Sequence, residues 1–296
     1  MFYIPTLTIA GSDCSGGAGV QADIKTMSAL GCYAASVITS VTVQNTQGVS
    51  AIHSIPPEIV EGQIRAVMDD IHPLAVKIGM VNDASTIRAI AETLKSYTSH
   101  SKFYIILDPV MVSTSGCRLM QQDALEIFER ELLPLATLIT PNIPEAEVLS
   151  CKKIDSIYDE IAIKKILSFG TSAVLLKGGH LTEKTDGLYI MKNTSGGLSV
   201  HSFKSESVDT NNTHGTGCTL SSAITSFLAI SKALHPDEID EDARMIEAIK
   251  SAKNYITEAL KAGADVKIGE GHGPVNHFYQ PKALIKVENT SSRDCV

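Results

Sequence analysis

The sequence predicts an α/β fold, in which a mainly parallel central sheet carries helices on both faces and an antiparallel hairpin at one edge. Short, fully apolar runs alternate with amphipathic segments of helix length. Strands that are apolar throughout are typical of parallel sheets buried on both faces. After Lys177 the alternation stops, and two strand-like segments follow each other directly. This change predicts the edge hairpin.

Each element up to residue 177 is predicted from its own pattern. Apolar or β-branched runs predict strands at residues 7–10, 36–43, 75–79, 104–107, 138–140 and 173–177. Apolar residues at helical spacing predict helices at residues 20–30, 57–70, 84–97, 124–133, 145–150 and 158–169. The helix at 57–70 also has proline near its start, where a missing N–H costs little. Strand–helix alternation of this kind predicts βαβ crossovers and hence parallel strands.

The remaining elements complete one domain. Residues 187–191 and 198–203 predict the two hairpin strands, because the turn-rich residues 193–197 join them. Helices are predicted at residues 219–233 and 242–262. The chain has no linker, repeat or low-complexity segment that would divide it, so we predict a single domain over residues 1–285. The polar residues 286–296 predict a flexible C-terminal tail.

Composition narrows the class of protein. The 296 residues are 44% hydrophobic and 20% charged, with a net charge of -8 and no run of lysine or arginine. This balance argues against nucleic acid and anionic membranes as partners. The six cysteines are scattered without a C-x-x-C pair, which argues against a zinc site or a disulfide framework. Neither a signal peptide nor a stretch of membrane-spanning length is apparent, so we expect a cytoplasmic protein.

Polar residues that directly follow the predicted strands indicate a binding site. In parallel α/β sheets, ligands bind beyond the carboxyl ends of the strands. Every such segment of this chain contains glycine, an acid, an amide or a base. The segments are GSDCSGGAG, QNTQG, IGM, DPVM, TPNIPEAE, KGGH and THGTGC.

The first glycine-rich segment, GSDCSGGAG, matches neither common nucleotide motif well. It lacks the Gly-Lys-Ser/Thr of a phosphate loop. Gly17, Gly19 and Ala22 fit a relaxed dinucleotide fingerprint, but no acid follows about 20 residues later to read a ribose. Two interpretations stay open: a tight strand-to-helix crossover, and a glycine loop that closes over a small ligand, which we favour.

The second glycine-rich segment, THGTGCTLSSA, predicts an anion site. Gly215 and Gly217 permit backbone shapes in which successive N–H groups point inward, and the following helix adds its positive end. The alternative is a glycine-rich helix entry with a buried structural cysteine at Cys218. A helix N-terminus can lower the pKa of a thiol toward neutrality, so the sequence leaves both a partial thiolate and a neutral thiol open at Cys218.

Four other residues have both a functional and a structural interpretation. Asp108 and Glu145 could hold Mg²⁺ directly or through water, or could cap helices. Lys177 is placed to contact a phosphate, or to extend along the surface into water. Gln44 offers a donor and an acceptor together, which suits two adjacent nitrogens of a heteroaromatic ring, or is a polar loop residue. His180, His272 and His277 have no spacing that indicates a metal site.

Taken together, the ordered motifs resemble those of the hydroxymethylpyrimidine/phosphomethylpyrimidine kinases of thiamine synthesis, within the ribokinase-like superfamily. The resemblance covers roughly residues 5–282. It rests on LTIAGSDCSGGAGVQADIKT, SVITSVTVQNTQGV, KIGM, LDPVM, LITPNIPEAE, AVLLKGGH, NTHGTGCTLSSAI and GEGHGPVNHF. It implies a ribokinase-like fold, ATP and Mg²⁺ as cofactors, an aminopyrimidine alcohol and its phosphate as substrates, and a homodimer.

The resemblance also implies a role for each matching residue. Gln44 would read the aminopyrimidine edge, and Cys218 would be the catalytic residue near the acceptor oxygen. Relatives often have lysine where Asn211 stands, so a phosphate contact from that position is not expected here. The other implied roles are the border of the ring or its hydroxymethyl arm (Gly11, Asp23, Met80, Val110), the contact to ATP phosphates (Lys177), the anion hole that ends at Cys218 (Gly215, Thr216, Gly217) and support of Mg²⁺ (Asp108, Glu145).

A cysteine at position 218 suggests a hypothesis about the two transfers of this family. By the same resemblance, sugar kinases of the superfamily have an aspartate base there. The second acceptor is already a phosphate, which a carboxylate 4 Å away would repel by about 4 kcal/mol at an effective dielectric of about 20. A neutral thiol avoids this repulsion.

Two rival interpretations of the protein's function stay open. They are a pyridoxal kinase or dual-specificity enzyme, and a catalytically silent ligand sensor.

Overall fold

A computed structural model describes residues 1–111, 119–121, 123–179, 184–192, 197–236 and 240–288. Several sequence predictions fall outside these residues. They concern His180, the hairpin turn at residues 193–196, Cys117, Cys295, and residues 289–296 of the predicted tail.

Nine strands of the described residues form one sheet in the order β10-β9-β8-β7-β6-β5-β2-β3-β4. The six strands from β8 to β3 in this order are parallel, as predicted, while β9, β10 and β4 pair antiparallel with their neighbours. A separate two-stranded sheet pairs β1 with β11. The strands are β1 (Phe2–Tyr3), β2 (Pro5–Asp13), β3 (Tyr33–Asn45), β4 (Gly48–Ser54), β5 (Ala75–Ile78), β6 (Tyr104–Leu107), β7 (Leu138–Ile139), β8 (Ala173–Leu176), β9 (Thr185–Met191), β10 (Leu198–Lys204) and β11 (Lys286–Val287).

Eight α-helices flank the sheet in the described residues, and their starts follow local sequence signals. Asp83, Asn142 and Asp159 cap three helices by accepting a backbone N–H of the first turn. The helices are α1 (Gly19–Ala29), α2 (Pro57–Asp70), α3 (Ala84–Thr98), α4 (Ala124–Ile127), α5 (Ile143–Ser150), α6 (Glu160–Leu167), α7 (Thr216–Leu234) and α8 (Glu241–Gly263).

Two predicted helices differ from the observed ones. The helix predicted at residues 124–133 is α-helical only in α4, after which Phe128–Leu132 form a π-helical turn and Leu133–Leu135 a short 3-10 turn. Pro134 has no N–H to continue the α-helical bonding. The helix predicted at residues 158–169 starts later, because the Asp159 side chain accepts the N–H of Ala162 and defines the first turn.

The core lies on both faces of the sheet, because successive strand residues point to opposite sides. On β6, Ile105 and Leu107 pack into the cluster beneath α2 to α6, while Tyr104 and Ile106 pack beneath α1, α7 and α8. This arrangement confirms the α/β fold with helices on both faces. Helix α7 is long and apolar enough to cross a bilayer by length and composition. Its apolar residues pack in the cluster beneath α1, α7 and α8, and this packing accounts for its composition, as in the core helix of a globular domain.

The sequence prediction missed three strands. Strand β4 was not predicted. It pairs antiparallel with β3, which continues through Gln44 to Asn45. Strand β1 was missed as well, and β11 begins at residue 286 inside the segment that we predicted as a tail. These strands are short or half-exposed, so they lack the fully apolar pattern of the central strands. The single domain over residues 1–285 and the tail over 286–296 stay predictions.

Candidate active site

A cavity of about 550 Å³ lies at the carboxyl ends of the parallel strands. All but one of the site residues predicted from the sequence line it, although they come from seven separate segments. Residues that line the cavity and were predicted are Gly11, Gln44, Met80, Asp108, Val110, Glu145, Lys177, Gly215, Thr216, Gly217 and Cys218. The exception is Asp23.

One wall of the cavity is the anion loop, residues 215–218, at the start of α7. Gly215 is the N-cap of the helix with φ of 80°, and it provides no side chain to cap the first turn. A Cβ atom on Gly215 would lie 1.9 Å from the carbonyl oxygen of Gly17. Glycine is therefore required there, both for the positive φ and for close packing against the N-terminal glycine loop. The first residues of α7 line the cavity, so the positive end of the helix lies beside it.

Beside the anion loop, Lys177 connects two carboxylates. Its Nζ lies 2.9 Å from Asp108 Oδ1 and 3.9 Å from Glu145 Oε2. Burial alone would lower the pKa of Lys177, but Asp108 and Glu145 outweigh it and raise the pKa. Burial has the opposite effect on an acid and would raise the pKa of Asp108, but the positive charges of Lys177 and Lys77 hold this pKa below its usual range. Lys177 is therefore a charged ammonium in the cavity, and not the surface lysine of the alternative interpretation.

Glu145 has both of the roles that the sequence left open. It forms a capping box at α5, in which Glu145 Oε2 accepts the N–H of Asn142 at 2.8 Å and Asn142 Oδ1 accepts the N–H of Glu145 at 2.9 Å. Its carboxylate also lines the cavity. Burial, reinforced by the charge of Asp108, raises the pKa of Glu145 to about 7 despite Lys177. The pair of carboxylates thus has more negative charge than Lys177 alone neutralises.

The donor set at Asp108 and Glu145 is compatible with Mg²⁺. Both groups are hard oxygen donors, and a divalent cation would relieve the charge that raises the pKa of Glu145. Within the described residues no group of three or more histidine, cysteine or acidic side chains is placed to hold a metal. Mg²⁺ commonly binds through one or two carboxylates and completes its shell with water and phosphate oxygens. Two carboxylates that line one cavity therefore suit Mg²⁺.

The thiol of Cys218, whose protonation state the sequence leaves open, is neutral. Burial, reinforced by the carboxylates of Asp23 and Asp108, raises its pKa to about 11. Lys77 and the N–H of Gly19 act in the opposite direction but do not compensate. The start of α7 does lie at the thiol, as the sequence suggested. Burial of the thiol, which follows from the fold, keeps it neutral, and the two carboxylates reinforce this effect.

Gln44, which also lines the cavity, belongs to a polar group that the sequence analysis missed. His214 Nε2 lies 3.2 Å from Gln44 Nε2 and 3.0 Å from Asp13 Oδ2. Burial would raise the pKa of Asp13, but hydrogen bonds from His214 and Ser15 lower it to about 2. Asp13 also accepts the N–H groups of Gly17 and Ala18, so it organises the glycine loop. Both missed residues lie in strand-end segments, which is the signal that could have identified them.

The prediction that Asp23 borders the substrate is corrected by the structure. Its side chain is completely buried below the cavity and does not line it. The carboxylate bonds instead to Lys77, which is equally buried and which the sequence analysis overlooked. Lys77 stands in the apolar strand AVKI, and a charge in such a strand is the signal that could have identified it.

Comparison with known proteins agrees with this geometry. The family model of phosphomethylpyrimidine kinases matches residues 13–276. The chain belongs to this family. It is 44% identical over 278 residues to the hydroxymethylpyrimidine/phosphomethylpyrimidine kinase of Rhizobium meliloti, which covers 93% of this chain and 97% of that protein.

Solved structures of two kinases share the fold. Phosphomethylpyrimidine kinase from Clostridium difficile is 46% identical, with a TM-score of 0.71 over 87% of this chain and 99% of that chain. An ADP complex of Bacillus subtilis pyridoxal kinase is 32% identical, with a TM-score of 0.78 over 93% of this chain and 98% of that chain. The ribokinase-like fold implied by the motifs is thereby confirmed for this member of the phosphomethylpyrimidine kinase family.

Proposed function

We propose that this protein transfers phosphate from ATP to 4-amino-5-hydroxymethyl-2-methylpyrimidine and then to the resulting monophosphate, for thiamine biosynthesis. The observation that carries the proposal is one cavity of about 550 Å³ that joins two kinds of site. Lys177, the two carboxylates and the anion loop line this cavity together with the amide of Gln44. Membership of the phosphomethylpyrimidine kinase family supports the same reaction.

Phosphoryl transfer needs positioning and neutralisation of charge more than covalent chemistry. We assign the neutralisation to the Lys177 ammonium and to the anion loop, through the backbone N–H groups of Gly215 and Gly217, because the N–H of Thr216 donates to the carbonyl oxygen of Thr213. These groups are fixed before substrate arrives, Lys177 by Asp108 and the loop by its helix, so little reorganisation is needed at the moment of transfer. Bound Mg²⁺, held by Asp108 and Glu145, would supply further neutralisation of phosphate charge.

Cys218 is proposed as the catalytic residue nearest the acceptor oxygen. Since burial and two carboxylates raise the pKa of Cys218 to about 11, the thiol is uncharged at neutral pH. An uncharged group accepts an alcohol in the first transfer and a phosphate in the second without repelling either. The alternative carboxylate would repel the phosphate by about 4 kcal/mol at 4 Å and an effective dielectric of about 20.

The aminopyrimidine is proposed to bind between Gln44 and the residues Gly11, Met80 and Val110. Gln44 offers one donor and one acceptor for adjacent polar atoms of the ring. Met80 and Val110 add apolar surface, and both line the cavity next to Gly11. A Cβ atom on Gly11 would lie 2.8 Å from Ser40 Oγ and 3.2 Å from Met80 Sδ, so a larger residue at position 11 would displace these neighbours.

Pyridoxal phosphorylation is the second candidate activity. The likeness to Bacillus subtilis pyridoxal kinase, with a TM-score of 0.78 at 32% identity, favours it specifically. A silent ligand sensor is disfavoured, because a sensor has no need of Lys177, Asp108 and Glu145 together beside an anion loop. A coupled ATPase assay with the hydroxymethylpyrimidine, its monophosphate and pyridoxal in parallel distinguishes these functions. We expect turnover of both pyrimidines, whereas turnover of pyridoxal alone or of none of the three would contradict the proposal.

Three broader properties are part of the proposal. The active protein is a homodimer, as the family resemblance implies, and size-exclusion chromatography with light scattering tests this. It works in the cytoplasm, in keeping with free thiols at Cys14, Cys32, Cys151 and Cys218. Residues 1–285 form its single kinase domain.

A further inference from the structure

A buried ion pair lies directly beneath the anion loop, between Lys77 of β5 and Asp23 of α1. Lys77 Nζ is 3.0 Å from Asp23 Oδ1 and 2.8 Å from Asp23 Oδ2, and both side chains are fully buried. Neither group lines the cavity. A charge pair sealed in this way is costly to bury and is often no more stable than apolar residues of the same size. Stability alone therefore does not explain why this pair is present, and another role would explain it.

The Asp23 carboxylate joins three different elements. Besides Lys77 it accepts a hydrogen bond from Thr8 of β2, at 2.6 Å, and one from Ser222 of α7, at 2.7 Å. Ser222 is the contact of interest, because it lies four residues after Cys218. Residues four apart lie on the same face of a helix, one turn from each other.

Helices α1 and α7 approach each other at two levels that are one helical turn apart. The N–H of Gly19 at the start of α1 lies near enough to the Cys218 thiol to lower its pKa. One turn further, Asp23 of α1 bonds to Ser222 of α7. A Cβ atom on Gly19 would lie 2.3 Å from the carbonyl oxygen of Gly11, so α1 is itself fixed tightly against the end of β2. Asp23 thus ties the first turns of α7 to a rigid support.

We propose that Lys77 and Asp23 are positioning residues for phosphoryl transfer. Lys77 supplies the positive charge that the buried Asp23 carboxylate needs, and the carboxylate holds Ser222 and hence Cys218 and the anion loop in place. Neither residue touches substrate. This inference rests on the proposed kinase function, since the anion loop is the element that it positions.

The decisive experiment compares two variants that each remove one hydrogen bond from the same carboxylate. Ser222→Ala removes the bond to α7, and Thr8→Val removes the bond to β2. We expect Ser222→Ala to lower kcat about tenfold more than Thr8→Val, which corresponds to about 1.4 kcal/mol of activation free energy. KM for ATP and for the pyrimidine should change little. Equal losses of kcat in the two variants would overturn the proposal.

A second comparison separates positioning from stability. Lys77→Met leaves Asp23 without its cation and should lower both the free energy of unfolding and kcat. Adding Asp23→Asn removes the unpaired charge, so stability should recover while kcat stays low, because the amide of this variant accepts fewer hydrogen bonds than the carboxylate. Recovery of both together would show that the pair acts on stability alone. Arg244→Met is the control, because it removes another fully buried cation, near the opposite end of α7.

A readout without turnover distinguishes failure of this inference from failure of the kinase function. The alkylation rate of Cys218 by iodoacetamide is followed by mass spectrometry of its peptide. We expect Ser222→Ala to raise this alkylation rate about tenfold relative to both wild type and Thr8→Val. A tenfold change is expected if the Ser222–Asp23 hydrogen bond stabilises the first turns of α7 by about 1.4 kcal/mol. Equal rates would refute the positioning role whether or not the protein phosphorylates a pyrimidine.

Discussion

Replacing Gly217 with alanine adds one methyl group at the phosphate end of the cavity without disturbing the protein around it. The new Cβ would lie 3.5 Å from Asp108 Oδ2 and 3.6 Å from Lys177 Nζ, which are ordinary contact distances. Gly217 is the second residue of α7 and does not have positive φ. Alanine is therefore compatible with the backbone, and its higher helix propensity contributes up to about 1 kcal/mol.

The same methyl group stands between the anion loop and Lys177, where a transferred phosphate must be neutralised. Loss of one such preorganised contact commonly lowers kcat by about 10²- to 10³-fold. We therefore expect Gly217→Ala to keep or raise the melting temperature and to lose most of its kcat in the coupled assay.

The matched control is Gly215→Ala, at the N-cap of the same helix. Its φ is 80° and its Cβ would lie 1.9 Å from the Gly17 carbonyl oxygen, so this variant should lose stability as well as activity. Wild-type kcat in a folded Gly217→Ala protein would refute the placement of phosphate beside Lys177. Loss of stability as large as that of Gly215→Ala would refute the claim that position 217 has room for a methyl group.

Three further predictions concern the acceptor, the ring and pH. Cys218→Asp should impair the second transfer more than the first, because a carboxylate repels the phosphate acceptor by about 4 kcal/mol at 4 Å and an effective dielectric of about 20. Separate assays with the alcohol and the monophosphate measure the two transfers. Equal losses of activity in both assays would contradict this prediction. Gln44→Ala should raise KM for the pyrimidine and leave KM for ATP unchanged, whereas a parallel rise in both would contradict the assignment of Gln44 to the ring. Burial, then Lys25 and His214, lower the pKa of His277 from 6.5 to about 4, so its contribution to stability is complete above pH 6.5 and falls by about 3 kcal/mol as the pH drops to about 4. Urea unfolding across this range should show that His277→Asn loses less stability than wild type on acidification, and identical slopes would refute it.

Most of the fold could be predicted from local pattern. The central strands are apolar throughout, as in β5 and β6, and the helices between them show amphipathic spacing, so the alternation identifies a parallel sheet. The half-exposed β4 and the two-residue strands β1 and β11 were missed, because their pairing depends on partners and not on their own composition. The break of the helix after Ile127 depends on packing around a π-helical turn, which the spacing of apolar residues does not reveal.

Sequence pattern predicted most of the residues that line the cavity, although it missed Asp13 and His214 and wrongly included Asp23. The carboxyl ends of parallel strands meet at one edge, so Gln44, Asp108, Lys177 and the loop at Gly217 had to converge once the strands were identified. Tertiary structure alone decided what those groups are chemically. Burial keeps the thiol of Cys218 neutral, and the carboxylates of Asp23 and Asp108, which are more than 100 residues away along the chain, reinforce this effect. The burial of Asp23 against Lys77 likewise exists only once α1, β5 and α7 have packed together. Charge and protonation follow from desolvation and from neighbours in space, and a linear pattern specifies neither.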